Sequence, residues 1–569
     1  MRKLEYGNGF DMDAQMKQSG PESCGQTQAN GDISRDFNKV DRIRTIVRKI
    51  KTPRSARADI ELTVGRGEFK VEGVVLRNRG KNSDVEHWFK SVIHSDGQIY
   101  AIESTLDPGS CVFDGPYWDV FLVVAKDNVQ YYIDVEIPKN IKRAMLFTNK
   151  QCVLEDGKIL FPYCTAEGKL SFYYRERYQS DTRVTKAKEW LAFAIFAVLH
   201  PYFKRKRLWL VFEKYSSNAQ DNGFYFFQYC MEQAPAGLRK RIFFVIDRES
   251  PDYHNVSKYR RQVVPFMSFR HMLYSLVAKV YVASDARSHL YQWHPKPSII
   301  RSRISKHKIF FLQHGVTAMK RVDYLFGRQG STPMTYFLTT SKAEQDIAVE
   351  RLGYDRENAP ILGFSRWDVL EDHSHPENPV ILLMPTWRQW LEEVDDATFL
   401  GSEYYCTYME LLGDADFMRL LEERNATLKF FIHPKFGEQL AKFTSMSPRI
   451  ELVAPGTVPL NEIIMESSLL ITDYSSVAWD VLYMDKPVVF FQFDQERYLD
   501  EVGSFIDLNN ELPGTVCKTI DELNQGVNAY MDTGFALTQE NSDKARTWFD
   551  FKDRNNRERT LKKLLEYGF

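Results

Sequence analysis

Two histidines, an arginine, a lysine and a pair of serines stand at four equivalent places in this chain. Each place directly follows a short apolar run of strand length. Gln313, His314 and Gly315 follow residues 309–312. Pro385, Thr386, Trp387 and Arg388 follow residues 380–384. His433, Pro434 and Lys435 follow residues 428–432, and Asp473, Tyr474, Ser475 and Ser476 follow residues 469–472. In parallel α/β sheets ligands bind beyond the carboxyl ends of the strands, so these four tips are expected to face one ligand. Their inventory suits a diphosphate. A guanidinium chelates phosphate with a planar fork, an ammonium supplies a point charge, and N–H groups at a helix start supply neutral donors. A neutral imidazole can take a proton near pH 7. Gly315 leaves room for a sharp turn and a close ligand.

Each residue also has a structural use. Asp473 or a serine can cap the helix that follows. A strand-end histidine is often only a hydrogen-bonded structural residue. Arg388 and Lys435 suit surface charges, and Asp480, on the helix after the serines, can simply face solvent. The coincidence of four strand ends is what favours a site. GxxxxGK[ST], GxSxG and HExxH are all missing, which disfavours a P-loop, a hydrolase elbow and a zincin.

The stretch 469–494 predicts how such a tip is built. Residues 469–472 run as a strand into the Asp-Tyr-Ser-Ser turn, a helical run reaches about residue 484, and residues 487–493 form a second buried strand. This is a βαβ unit of a parallel sheet. The same alternation predicts strands at 208–212, 242–246, 263–267, 280–283, 309–312 and 336–338, then at 380–384, 428–432, 450–453, 469–472 and 488–491. Two such series mean two Rossmann-like domains facing a cleft, 183–375 and 376–569, the second ending in a polar helical tail.

Upstream the rhythm changes. Residues 59–182 alternate with period two between Gly, Asn and Asp turns, which predicts an antiparallel β-sandwich or barrel. Residues 39–58 hold eight Lys or Arg and one Asp, with Val40, Ile43, Val47 and Ile50 at helical spacing. Segment 38–58 is therefore read as a basic amphipathic helix, for an anionic membrane surface or for a neighbouring domain. Residues 1–37 are polar without an apolar period and are expected to be disordered. Residues 190–199 are unbroken apolar and precede Lys204, Arg205, Lys206 and Arg207. That run is too short to span a bilayer and is expected to be a buried helix, with an interfacial helix as the alternative.

Composition bounds the function. With 75 basic and 76 acidic residues the net charge is −1, so no global basic field argues for nucleic acid. The seven cysteines form no CxxC pair, which fits a reducing compartment. No signal core or spanning run is evident, so a cytoplasmic protein is expected, held at a membrane from outside the bilayer if at all. No carboxylate cage for a metal is visible.

QHGVTAMK (313–320), MPTWR (384–388), IHPK (432–435), ITDYSSVAWD (471–480) and ELPG (511–514) occur in that order. Together they resemble the CDP-glycerol glycerophosphotransferase family, the teichoic-acid and capsule polyol-phosphate polymerases and primases. The resemblance covers roughly residues 205–560. It implies a GT-B-like pair of Rossmann-like domains, here behind an N-terminal antiparallel β domain. It implies a CDP-polyol donor, a lipid-linked polyol-phosphate or glycan acceptor, no cofactor, and a place on the cytoplasmic face of the cell membrane; self-association is left open. His314 and His433 would then be catalytic, with His314 taking the acceptor proton. Arg388, His433, Ser475 and Ser476 would hold the diphosphate with Lys435 nearby. Gly315 and Asp473 belong to the same site, and Asp480 would contact the ribose or a supporting group. The chain departs from the family pattern on the acceptor side, at Gln313 and over residues 316–320. A nucleotide-sugar GT-B glycosyltransferase and a non-catalytic polymer-binding scaffold are the competing readings.

Overall fold

The computed structural model describes residues 45–569 except 52–56, 66, 81–84, 97, 128, 393, 446 and 455, and of 434 and 435 only the backbone. The expected disorder of residues 1–37 lies outside the described residues. The basic segment does not form the helix expected of it, as far as it is described. Thr45–Lys51 is a β-strand, antiparallel to Ala58–Gly65 and parallel to Val129–Glu136. Its register slips by one residue at Arg48, a β-bulge. The extra residue lets Val47 and Ile50 both face the core, and so imitates the spacing of a helix. Lys49 and Lys51 both reach Glu61 on the next strand. Alternating residues downstream complete an eleven-stranded, otherwise antiparallel sheet ending at Leu170–Glu176, around a core with Trp118 fully buried.

The first parallel sheet has the order Val263–Pro265, Ile242–Ile246, Trp209–Phe212, Val280–Ala283, Ile309–Phe311, Tyr336–Phe337. Its central strands are apolar without alternation because helices cover both faces. The second sheet repeats the order with Ile450–Val453, Thr427–Phe431, Val380–Leu383, Ser467–Thr472, Val488–Phe491 and Thr515–Cys517. The sixth strand, three residues long, is too short to show a pattern. In each sheet the chain reverses direction of growth beside its first strand, the place where ligands collect.

One apolar cluster runs through both domains, from Trp209 and Phe227 through Trp367 to Leu382, Trp479 and Trp548. Within it Trp367 stacks on Tyr483 at 4.6 Å. The C-terminal helix Asn556–Glu566 leaves the second domain. Its first N–H groups, from Asn556 and Arg557, donate to the Asp368 carboxylate at 3.0 and 2.9 Å. Tyr567 then stacks on Tyr336 of the first sheet at 4.2 Å.

Helix Arg183–Lys206 is longer than the apolar run inside it. One face is fixed by Glu189, which pairs with Lys186 at 2.7 Å and accepts bonds from Tyr291 and Ser298. The other face is bare: Val184, Leu191, Val198, Leu199 and Tyr202 are all exposed. The helix is thus buried on one side only.

Candidate active site

His314 rides on a turn held from beneath. Gln313 takes a left-handed φ of 57°, which costs a non-glycine residue free energy unless its surroundings impose it. Here they do. Its buried amide donates to Leu338 O at 2.5 Å and Glu344 Oε1 at 2.9 Å, and accepts from Thr317 Oγ1 at 2.8 Å. The Asn222 amide donates to its carbonyl at 2.8 Å. Glu344 is fully buried and also accepts the N–H groups of Thr317 and Thr340, both at 2.7 Å. Burial raises its pKa against those donors. The departure at Gln313 therefore points into the domain, where it sets the turn. The His314 ring is exposed above it.

Gly315 brings the two domains into contact. A Cβ built there would lie 2.0 Å from Ser476 Oγ and 2.6 Å from Ser476 Cβ. No side chain fits, so the His-Gly turn rests directly on the Ser-Ser turn. Ser475 and Ser476 are half-buried, and Ser475 Oγ accepts the Val477 N–H at 3.3 Å. Trp387 lies beside His433, ring centres 6.2 Å apart, and Lys320 of the first domain reaches over Trp387 at 5.5 Å. Thr386 Oγ1 is buried with no partner among the described residues. The Lys435 side chain lies outside them.

Sequence reasoning missed the pair behind His314. Leu312 N donates to Ala283 O at 2.7 Å, so Asp285 leaves the neighbouring strand tip beside His314. Asp285 is buried, with His289 Nε2 3.5 Å away. Tyr215 N donates to His289 Nδ1 at 3.0 Å, which makes Nδ1 the acceptor and leaves the ring proton on Nε2, toward Asp285. Burial pushes His289 down to about 4 despite that carboxylate, so it is neutral at pH 7. Burial opposes the charge on Asp285, but His289, His314 and Lys214 together hold its pKa below the usual range. The signal, an Asp four residues before a His after a strand, is too common to stand out in a sequence.

Three expected phosphate or ribose contacts are engaged elsewhere. The Arg388 side chain is fully buried. Its Nε and Nη2 donate to both oxygens of Asp494 at 2.6 and 3.0 Å, and Nη1 lies 2.7 Å from Asp473. Tyr404 and Tyr474 cover the guanidinium faces at 5.2 and 5.1 Å. Desolvation opposes its charge, but the two carboxylates hold its pKa well above the ordinary value. A buried arginine needs such partners, and they leave no fork for a ligand. Asp473 also accepts Thr386 N with both oxygens, at 2.9 and 3.1 Å, so it clamps two strand tips together. The clamp extends to the first domain. Tyr474 donates to Asp494 at 3.1 Å and stacks on Tyr498 at 3.6 Å, and Tyr498 donates to Met319 O at 3.1 Å. Asp480 is buried rather than at a ribose or in solvent. It accepts from Arg366 at 2.7 and 3.0 Å and from Trp367 Nε1 at 2.7 Å, while Arg366 Nη1 donates to Asp221 at 2.9 Å. That network ties the second domain to the first.

The structure thus brings His314, Gly315, Ser475, Ser476 and His433 to one cleft, adds Lys320 and Trp387, and places Arg388, Asp473 and Asp480 behind it. Two Rossmann-like domains meeting at a cleft, with a C-terminal helix crossing back, define a GT-B-like fold. The chain belongs to the CDP-Glycerol:Poly(glycerophosphate) glycerophosphotransferase family, whose model matches residues 192–566. It is 26% identical over 408 residues to the minor teichoic acid biosynthesis protein GgaB of Bacillus subtilis (strain 168), covering 69% of this chain and 44% of GgaB. It is 25% identical over 313 residues to the teichoic acid ribitol-phosphate polymerase TarK of Staphylococcus aureus (strain NCTC 8325 / PS 47), covering 50% of this chain and 56% of TarK. The chain spans about half the length of these curated relatives. Among solved structures the wall teichoic acid polymerase TagF matches with a TM-score of 0.46 and 15% identity, over 68% of this chain and 98% of that one.

Proposed function

We propose that this protein transfers a polyol phosphate, with glycerol phosphate as the unit, from a CDP-polyol to a hydroxyl of a lipid-linked acceptor and releases CMP. The carrying observation is the contact of the His314-Gly315 turn with Ser476. It sets an exposed imidazole from one domain beside two hydroxyls from the other. Ser475, Ser476, His433 and Lys320 hold the donor diphosphate. His314 takes the proton of the acceptor hydroxyl as that oxygen attacks the phosphorus bearing the polyol. The bond from that phosphorus to the oxygen bridging to CMP breaks, and CMP leaves with the electron pair. Phosphoryl transfer asks mainly for alignment and charge stabilisation, which a preorganised cleft supplies. Asp285, at the neighbouring strand tip, supplies the negative charge that balances the His314 ring once it has taken the proton.

The acceptor's lipid places the protein on a membrane surface. The exposed apolar side of helix Arg183–Lys206, ending in Lys204, Arg205 and Lys206, supports attachment in the headgroup layer. No helix among the described residues is long and apolar enough to cross a membrane. The test of the activity is CMP release from CDP-glycerol and CDP-ribitol with a lipid-linked polyol-phosphate acceptor, with UDP-sugars as controls. CMP from one CDP-polyol is the expected result. UDP release instead would overturn the chemistry.

A further inference from the structure

The first parallel sheet has a second charged edge, opposite the one that holds His314. Arg239 and Lys240 stand just before strand Ile242–Ile246, and Arg260 and Arg261 just before Val263–Pro265. With Lys258 they line one shallow, open pocket of about 760 Å³. Lys240, Lys258, Arg260 and Arg261 are exposed. Lys258 pairs with Glu232 at 3.2 Å, whereas no carboxylate among the described residues pairs with Lys240, Arg260 or Arg261. Clustered like charges repel one another, and the favourable way to relieve that is a bound polyanion. In a parallel sheet the amino edge lies about 15 Å from the carboxyl edge for strands of this length, so the pocket is separate from the transfer cleft.

We infer that this pocket is a binding site for a phosphodiester-linked polyol chain, the anionic polymer that the proposed reaction makes; the inference rests on that reading. Two features favour a flexible chain over a bilayer. Ser257 and Gln262 sit among the cations and match the free hydroxyls of a polyol. The exposed apolar residues that suit a bilayer lie elsewhere, on helix Arg183–Lys206. A chain held here stays near the protein between additions, so the acceptor end returns to the cleft at a raised effective concentration.

The test is a triple variant, Lys240→Glu, Arg260→Glu and Arg261→Glu, in the full chain; all three side chains are exposed, so folding should be unaffected. Binding of a short fluorescein-labelled glycerol-phosphate oligomer is read by anisotropy at low salt and at physiological salt. We expect wild-type binding to weaken with salt, and the variant to bind at least about tenfold more weakly. CMP release on a single-unit acceptor should be unchanged, while the products made from it should become shorter. Equal oligomer affinity in the two proteins overturns the inference. So does an unchanged oligomer affinity combined with lost binding to phosphatidylglycerol vesicles, which assigns the pocket to lipid. If wild type releases no CMP from any CDP-polyol, the functional reading fails, and oligomer binding still decides whether the pocket takes a polyanion.

Discussion

Gly315→Ala should separate the two turns of the cleft and stop turnover without unfolding the protein. The added methyl would sit 2.0 Å from Ser476 Oγ and 2.6 Å from Ser476 Cβ. A rotation about the serine's Cα–Cβ bond moves Oγ away but leaves Cβ where it is. Carbon atoms rest about 3.5–4.0 Å apart, so the turns must part by about 1 Å. Misplacing a reacting group by that much costs about 10²-fold in rate, equivalent to about 2.7 kcal/mol. The assay is CMP release at saturating CDP-polyol, with donor affinity followed by thermal shift. A kcat about a hundredfold lower, with the protein still folded, is expected. A double-mutant cycle with Ser476→Gly then isolates the contact. Removing the Ser476 side chain lowers activity by itself, but on that background Gly315→Ala should cost little, because both clashing atoms are gone. Full kcat in Gly315→Ala, or strict additivity in the cycle, would refute the claim that this approach builds the site.

The other residues divide by what they touch. His314→Ala should abolish turnover while leaving melting temperature and donor binding intact, since the ring is exposed; retained turnover would remove it as the base. Arg388→Met should behave as a folding defect, losing about 3–5 kcal/mol in denaturant unfolding because Asp473 and Asp494 stay buried without their partner; a variant of normal stability that fails only in donor binding would return Arg388 to the phosphate site. Stability should fall on acidification from about pH 6.5 to about 4. Burial pushes His271, His289 and His307 down to about 4 in the folded protein, so over that window the unfolded chain binds protons that the native state does not. Each histidine can contribute up to roughly 3 kcal/mol, and below pH 4 their contribution stops changing; a melting temperature flat across the window would contradict their neutral burial. Leu191→Glu with Val198→Glu should release the protein from phosphatidylglycerol vesicles in a sedimentation assay, and unchanged co-sedimentation would exclude that helix face as the anchor.

The fold was legible because its signals are local and repeated. Central strands of a covered parallel sheet are apolar throughout, so 242–246 and 488–491 stood out without any knowledge of their neighbours. Thr45–Lys51 was misread for the converse reason. Its bulge changes the period at one residue, and only the partner strand reveals that Arg48 is the extra one. The site shows the same limit in its chemistry. Position at a strand tip is written in the sequence, but the direction of a side chain there depends on what faces it. Arg388 and Lys320 are both cations beside the cleft. Arg388 turns inward because Asp473 and Asp494 wait for it at the tips of two other strands. Lys320, from the other domain, reaches over Trp387 instead. Sequence spacing cannot rank these two, because Asp494 lies 106 residues from Arg388 and no local pattern joins them. Gly315 was the exception. A glycine after a strand-end histidine suggests a sharp turn and room for a close ligand, and the group that the structure places against it is instead Ser476 of the second domain. The sequence-visible residue that defines this cleft is therefore the one with no side chain. The strongest cation of the four motifs is spent holding the cleft's wall in place.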